Sequence, residues 1–259
     1  MAGDIAITVS EGLAILRLRN PERRNAISAS MWQSIQDFAE AAPGRNDVRV
    51  ILIRGDGDVA FSAGADIAGF EEARSGTANA RGYDDLVEYT CRAIEAAPQP
   101  TIALIKGACM GAGASLAASC DLRIASQNAF FAVPAGRLGL GYDPRGIKRM
   151  LRVYGALTPE ILFTAQRIPA TRAHQLGTVH AIAPEDQVDA LAESFARTIA
   201  ANAPLTLKAA KAAIRALVLN DAALLAEAER LGAKADASSD YAEGRAAFVQ
   251  KRQPKFTGT

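Results

Sequence analysis

Residues 101–125 read TIALIKGACMGAGASLAASCDLRIA. The β-branched run from Thr101 to Ile105 predicts a buried strand. Gly107, Gly111 and Gly113 follow within seven residues, and an apolar, alanine-rich segment from Ser115 onward predicts a helix. Glycines between a strand and a helix let a ligand approach the backbone closely. The unpaired N–H groups of a helix start then face whatever lies there and favour negative charge. The stretch is an anion-stabilising turn by these criteria.

On its N-terminal side, Ile5–Val9 and Leu13–Leu18 alternate around Glu11-Gly12, a hairpin signal. Arg23-Arg24-Asn25 forms a polar loop after Asn20-Pro21. Ser28 is placed to cap a helix from Ala29 to Ala42 with Met31, Ile35, Phe38 and Ala39 on one face. Val48–Ile53 predicts a buried strand. Phe61 to Ile67 repeats the strand-to-turn pattern with Gly64 at its centre. Gly69 to Gly82 is small and polar, and a mobile surface segment is expected there, a lid over a site. A helix is expected from Tyr83 to Ala97, stopped by Pro98 and Pro100. On the C-terminal side, strands are expected at Leu122–Ala125, Ala129–Val133 and Val179–Ala183, with short helices at Ile147–Tyr154, Thr158–Ala165 and Thr171–Leu176. From Ala190 to Phe248 the chain is helical in pattern, punctuated at Asn202-Ala203-Pro204 and Ser238-Ser239-Asp240. Strand, strand, helix recurs, which predicts a spiral of similar turns rather than a doubly wound sheet with one switch point.

The 259 residues, 49% of them hydrophobic, suffice for one large domain with an appendage. A net charge of +1 gives no electrostatic basis for nucleic-acid or membrane binding. Cys91, Cys109 and Cys120 lack metal-ligand spacing, and their odd count fits a reducing compartment. With only His174 and His180, a histidine-rich metal site is excluded, so no metal is expected. The N-terminus lacks a signal-peptide pattern and no run of about 18 apolar residues exists to span a bilayer. A cytoplasmic protein is expected. The Gly107–Gly113 spacing is not that of a dinucleotide fingerprint.

Five motifs carry a family resemblance along nearly the whole chain: Asn20-Pro21-x-x-Arg24-Asn25-Ala26; Phe61-Ser62-Ala63-Gly64-Ala65-Asp66-Ile67; Lys106-Gly107-x-x-x-Gly111-x-Gly113 with Leu116-Ala117; Cys120-Asp121-x-x-Ile124-Ala125; and Glu243-Gly244-x-x-Ala247-Phe248-x-x-Lys251-Arg252-x-Pro254. In this order and at these spacings the chain resembles the enoyl-CoA hydratase/isomerase (crotonase) superfamily. The resemblance implies an α/β fold, a spiral of ββα turns over residues 1–190. Residues 191–259 would then form a helical region that trimerises, often into a dimer of trimers, and covers the site. It implies a coenzyme A thioester as substrate, with coenzyme A entering as part of the substrate and no separate cofactor. The thioester oxygen would sit between the backbone N–H groups of Ala65 and Ala112, which stabilise an enolate more than the neutral carbonyl. Arg24, Ala26, Ala63, Gly64, Asp66 and Ile67 would cradle coenzyme A with Gly111, while Lys251 and Arg252 would reach its phosphates, here or on a neighbouring subunit.

The chain departs from the hydratase pattern at two positions. The resemblance places one catalytic glutamate where this sequence has Ser115, and the other after Phe131-x-x-Pro134, where it has Ala135. Neither residue serves as a general acid or base near neutral pH. Ser115 as a nucleophile would need a base within reach, and both histidines lie far off in sequence. Asp143 falls where dienoyl-CoA isomerases and chlorobenzoyl-CoA dehalogenases of the family carry an aspartate. Desolvation would raise its pKa and suit proton abstraction. It also reads as a turn aspartate before Pro144 and a partner for Arg145. Tyr142 falls where a methylmalonyl-CoA decarboxylase branch carries a tyrosine, in a substrate-contact or packing role. The expected chemistry is isomerisation or atypical hydration with Asp143 as acid/base. Decarboxylation of a malonyl-type acyl-CoA and a non-catalytic CoA-binding or scaffold role are the alternatives.

Overall fold

Two sheets organise the chain in the computed structural model, which describes residues 3–66 and 77–259. In the first, β1 (Asp4–Ser10) and β2 (Leu13–Arg19) form the expected antiparallel hairpin. β3 (Val50–Gly55), β5 (Thr101–Ile105), β7 (Leu122–Ser126) and β10 (Ala181–Ala183) extend it in parallel, in the order β1-β2-β3-β5-β7-β10. The second sheet holds β4 (Ala60–Ser62), β6 (Ala108–Met110), β8 (Phe130–Ala132) and β9 (Ile168–Pro169), in the order β4-β6-β8-β9. From β3 to β8 consecutive strands alternate between the sheets. Helices α2 (Thr77–Ala96) and α3 (Ala112–Ser119) follow β4 and β6, so each coil is strand, strand, helix, as the pattern predicted.

β3 and β5 are buried along almost their whole length, as parallel strands covered on both faces must be. On one face they meet α1 (Ala29–Ala41), whose Met31, Trp32, Ile35, Phe38 and Ala39 enter the main core. Ser28 caps α1 by accepting from Met31 N at 3.3 Å. Trp32 is fully buried, and its indole N–H donates to Tyr83 Oη at 3.2 Å, tying α1 to α2. The other face is covered by α7 (Val188–Ala201). Val188, Ala192 and Ala196 lie on one stripe against Val50, Leu52, Ile102, Leu104 and Ile124. Small side chains at i, i+4 and i+8 let this helix lie close to the sheet. This helix therefore packs directly on the sheet.

Four local expectations change. α3 begins at Ala112, three residues before the expected Ser115, because Gly111 already breaks the strand direction as its N-cap. β6 occupies residues read as part of a turn. α2 begins at Thr77, so residues 77–82 of the expected mobile segment are helical, and the remainder of it, 69–76, lies outside the described residues. The helical C-terminal stretch is broken a third time between α8 (Pro204–Leu219) and α9 (Ala222–Asp236). There Asn220 adopts φ +52° and Asp221 caps α9 by accepting from Ala223 N at 2.9 Å and Leu224 N at 3.1 Å. α10 (Ser239–Gln250) follows the expected break at Ser238. Between β8 and β9 lie α4 (Pro144–Tyr154) and α5 (Leu157–Thr164), and α6 (Ala170–Gln175) precedes β10.

Candidate active site

The two glycine-bearing turns meet at the ends of β4 and β6. Gly64 has φ +111°, and a Cβ there would stand 3.2 Å from Met110 O and 3.8 Å from Ala112 N. The backbones approach this closely because no side chain intervenes. The first turn is pinned to the loop after β2: Ala63 N donates to Arg24 O at 2.9 Å, Ile27 N to Gly64 O at 2.8 Å, and Asp66 N to Ile27 O at 3.0 Å. The second is pinned by Gly111 N donating to Ala132 O at 2.8 Å. Among the described residues the N–H groups of Ala65 and Ala112 donate to no protein acceptor. Ala112 opens α3, where the first N–H groups have no intrahelical partner.

Both turns open on one cavity of about 180 Å³. Ala63, Gly64, Ala65, Gly111, Ala112, Ser115, Ala135, Tyr142 and Asp143 all line it, so nine of the fifteen expected site residues are gathered there. The others are not in its lining. Arg24 is exposed at φ +51°, Ala26 is buried beneath the first turn, and Asp66 is ion-paired with Arg23 at 2.6 Å. Lys251 is exposed at the C-cap of α10. Arg252 is committed to Glu243 through contacts of 2.6 and 2.8 Å. Ile67 lies outside the described residues. Lys251 and Arg252 thus do not join the cavity within this chain.

Two hydroxyls stand where the resemblance leads one to look for a carboxylate. Ser115 Oγ and Tyr142 Oη lie 2.8 Å apart. Burial pushes the Tyr142 phenol up to about 12, although the Ser115 hydrogen bond pulls the other way. It is a neutral hydrogen-bond donor at physiological pH.

Asp143 lines the cavity, but its expected raised pKa is corrected. It is the N-cap of α4, accepting from Arg145 N at 2.7 Å, and the Arg145 guanidinium adds contacts of 3.1, 2.9 and 2.6 Å. These hydrogen bonds hold its carboxyl below the usual range, against the opposing effect of partial burial. A carboxylate has about four acceptor positions, and Arg145 fills them. Asp143 is a helix cap and a partner of Arg145, which also pairs with Asp85 on α2 at 2.6 Å.

One face of α2 escaped sequence reasoning. Tyr83, Asp84, Val87 and Glu88 line the cavity at helical spacing, i, i+1, i+4 and i+5. Glu88 receives the Arg149 guanidinium at 3.0 and 2.9 Å. The only available signal was the amphipathic period of the helix, which does not distinguish a site-facing glutamate from a solvated one. Val87, Val133, Leu138 and Leu140 give the cavity apolar walls, and no arginine, lysine or histidine appears among its described lining. Both histidines lie elsewhere: His174 contacts Val179 O at 2.9 Å and His180 accepts from Arg123 N at 3.1 Å.

This cavity, bordered by two amides without a protein acceptor, stands beside what comparisons with known proteins show. The family described as enoyl-CoA hydratase/isomerase matches residues 8–259. A probable enoyl-CoA hydratase, echA6, of Mycobacterium leprae is 35% identical, over 98% of this chain and 99% of that protein. The crystal structure of a putative enoyl-CoA hydratase/isomerase family protein from Hyphomonas neptunium superposes with a TM-score of 0.92 at 37% identity, covering 98% of both chains. That of an enoyl-CoA hydratase/carnithine racemase from Magnetospirillum magneticum gives 0.91 at 33% identity, over 98% of this chain and 96% of that one. The chain belongs to the enoyl-CoA hydratase/isomerase family and has its fold.

Proposed function

We propose that this family member acts on a coenzyme A thioester with an uncharged acyl chain and moves a carbon–carbon double bond through an enolate held by the N–H groups of Ala65 and Ala112. The observation that carries this reading is the pair of unpartnered amides on the wall of one apolar cavity. Charge that develops on the thioester oxygen meets donors already oriented and shielded from water, and one such donor is worth about 3 kcal/mol.

Isomerisation is favoured over hydration by the inventory of groups. A double-bond shift needs one base, which removes a proton at one carbon and returns it at another. Water addition needs one group to deprotonate water and a second to protonate the α-carbon. With Ser115 and Ala135 at the two glutamate positions, that pair is missing, and the Tyr142–Ser115 hydroxyls supply neutral donors beside the reacting carbons. A malonyl-type substrate is disfavoured because no lysine, arginine or histidine in the described lining would receive its carboxylate. Coenzyme A is carried on the substrate, and no further cofactor enters this scheme. Arg24 and Ala26 lie behind the turn that holds Ala63 and Gly64, a position suited to the coenzyme A moiety. Lys251 would contribute to it only across a subunit boundary in a trimer.

The test offers the purified protein a 2-enoyl-CoA, a 3-enoyl-CoA, a dienoyl-CoA and a malonyl-type acyl-CoA, with thioester products followed by mass. Interconversion of the 3-enoyl and 2-enoyl thioesters without gain of water is expected. Turnover of the malonyl-type substrate alone would reject the proposal in favour of decarboxylation. Coenzyme A binding with no turnover would reject it in favour of a scaffold.

A further inference from the structure

We infer that Glu88, on α2, is the base that carries the substrate proton in the isomerisation proposed above, an inference that rests on that reading. Four observations converge on it. Glu88 lines the cavity, yet its side chain is only 4% exposed, so its carboxylate is screened from bulk water on every side but that one. Arg149 binds it as a fork, one N–H to each oxygen, at 3.0 and 2.9 Å. Of the four acceptor positions of a carboxylate, two stay open, whereas the corresponding positions of Asp143 are taken by Arg145.

The third observation is steric. A Cβ on Gly146 would stand 3.4 Å from Glu88 Oε1 and 3.0 Å from Tyr142 Cε1. Gly146 carries none, so the carboxylate and the Tyr142 ring share one corner of the cavity with no side chain between them. The Tyr142–Ser115 hydroxyls and the Ala112 N–H border the same space. The fourth is electrostatic. Arg149 also donates from Nε to Glu95 Oε1 at 2.7 Å, and Glu95 is held in turn by Arg152. When Glu88 takes up a proton, the buried guanidinium keeps a carboxylate partner, so the neutral form of Glu88 does not strand a buried charge.

The step balances. An ionised Glu88 removes a proton from the α-carbon of a 3-enoyl thioester. The C–H electron pair forms a new bond toward the thioester carbon, and the carbonyl π pair moves to oxygen beneath the Ala65 and Ala112 amides. Collapse of the dienolate returns the pair to the γ-carbon, which takes a proton back from Glu88. The double bond has moved and the carboxylate is regenerated.

Glu88→Gln keeps the size and an acceptor for Arg149 but abolishes the base. It should lower kcat about 100-fold or more with KM within about threefold. It should also abolish wash-in of solvent deuterium at the α-carbon, while binding of coenzyme A and the melting temperature stay close to wild type. A folded Glu88→Gln protein that retains isomerisation and exchange within threefold overturns the assignment. A second variant, Glu88→Asp, keeps a carboxylate one methylene shorter and should retain at least about tenfold more isomerisation and exchange than Glu88→Gln. Equal activity in the two variants overturns the assignment. Failure of the broader reading looks different: a wild-type protein that neither isomerises nor exchanges any acyl-CoA of the panel removes the reaction itself.

Discussion

At Gly146, inside α4, a single absent methyl group separates stability from activity. Alanine exceeds glycine in helix propensity by about 1 kcal/mol, so Gly146→Ala should melt at or near the wild-type temperature. Its Cβ, however, would press on the Tyr142 ring from 3.0 Å and displace the phenol from Ser115. The ring need give only a few tenths of an ångström, short of the ~1 Å that costs roughly 100-fold, so kcat should fall by up to about tenfold. Steady-state kinetics beside a thermal melt check this, and an unchanged kcat would remove Tyr142 from the site. Gly64→Ala acts on both quantities. The residue sits at φ +111° with Met110 O only 3.2 Å from the new Cβ, so strain of about 1–3 kcal/mol is expected. The loss of activity should approach that of one oxyanion donor, about 100-fold.

At the scale of elements, α2 and α4 are joined by charge as well as by packing. Arg149 on α4 meets Glu88 and Glu95 on α2, and Arg145 meets Asp85. Arg149→Met should cost about 3–5 kcal/mol in urea unfolding, because it leaves Glu88 buried and uncompensated. Adding Glu88→Gln to it should recover much of that loss, since the stranded charge is then gone. A loss below about 1 kcal/mol in the single variant would show that water reaches the pair. Residues of the same two helices line the cavity, so the element pair that shapes it also sets its electrostatics.

At the scale of the whole molecule, acid stability reports on these ties. Arg145 holds Asp143 below the ordinary carboxylate range. Folded protein therefore binds that proton less readily than unfolded protein does. The stabilisation is fully present above the unfolded value near pH 3.9, and it is lost as the pH falls through the lower folded value. Melting temperature should thus drop steeply below about pH 4, and Asp143→Asn should drop less steeply over the same interval. Equal slopes in the two proteins would mean that the Arg145 fork is not kept in solution. No helix among the described residues is long and apolar enough to cross a membrane.

Much of the fold is local information and was legible in the sequence. Alternation marked the β1–β2 hairpin, β-branched runs marked β3 and β5, and the apolar stripe of α1 named its buried face before any packing was known. The two glycine-bearing turns were legible too, because glycine is required wherever two backbones approach closely, whereas the amides of Ala65 and Ala112 were singled out only by the family resemblance. What the tertiary structure alone decided was the ionic surroundings of each carboxylate. Asp143 was readable as a base or as a cap paired with the neighbouring Arg145, and the fold ties that pair to Asp85 on α2. Glu88 looked like any glutamate on an amphipathic helix. Its partner Arg149 is 61 positions away in sequence, and nothing local encodes that meeting. A strand or a turn depends on neighbours along the chain, whereas the basicity of a side chain depends on what the fold packs against it.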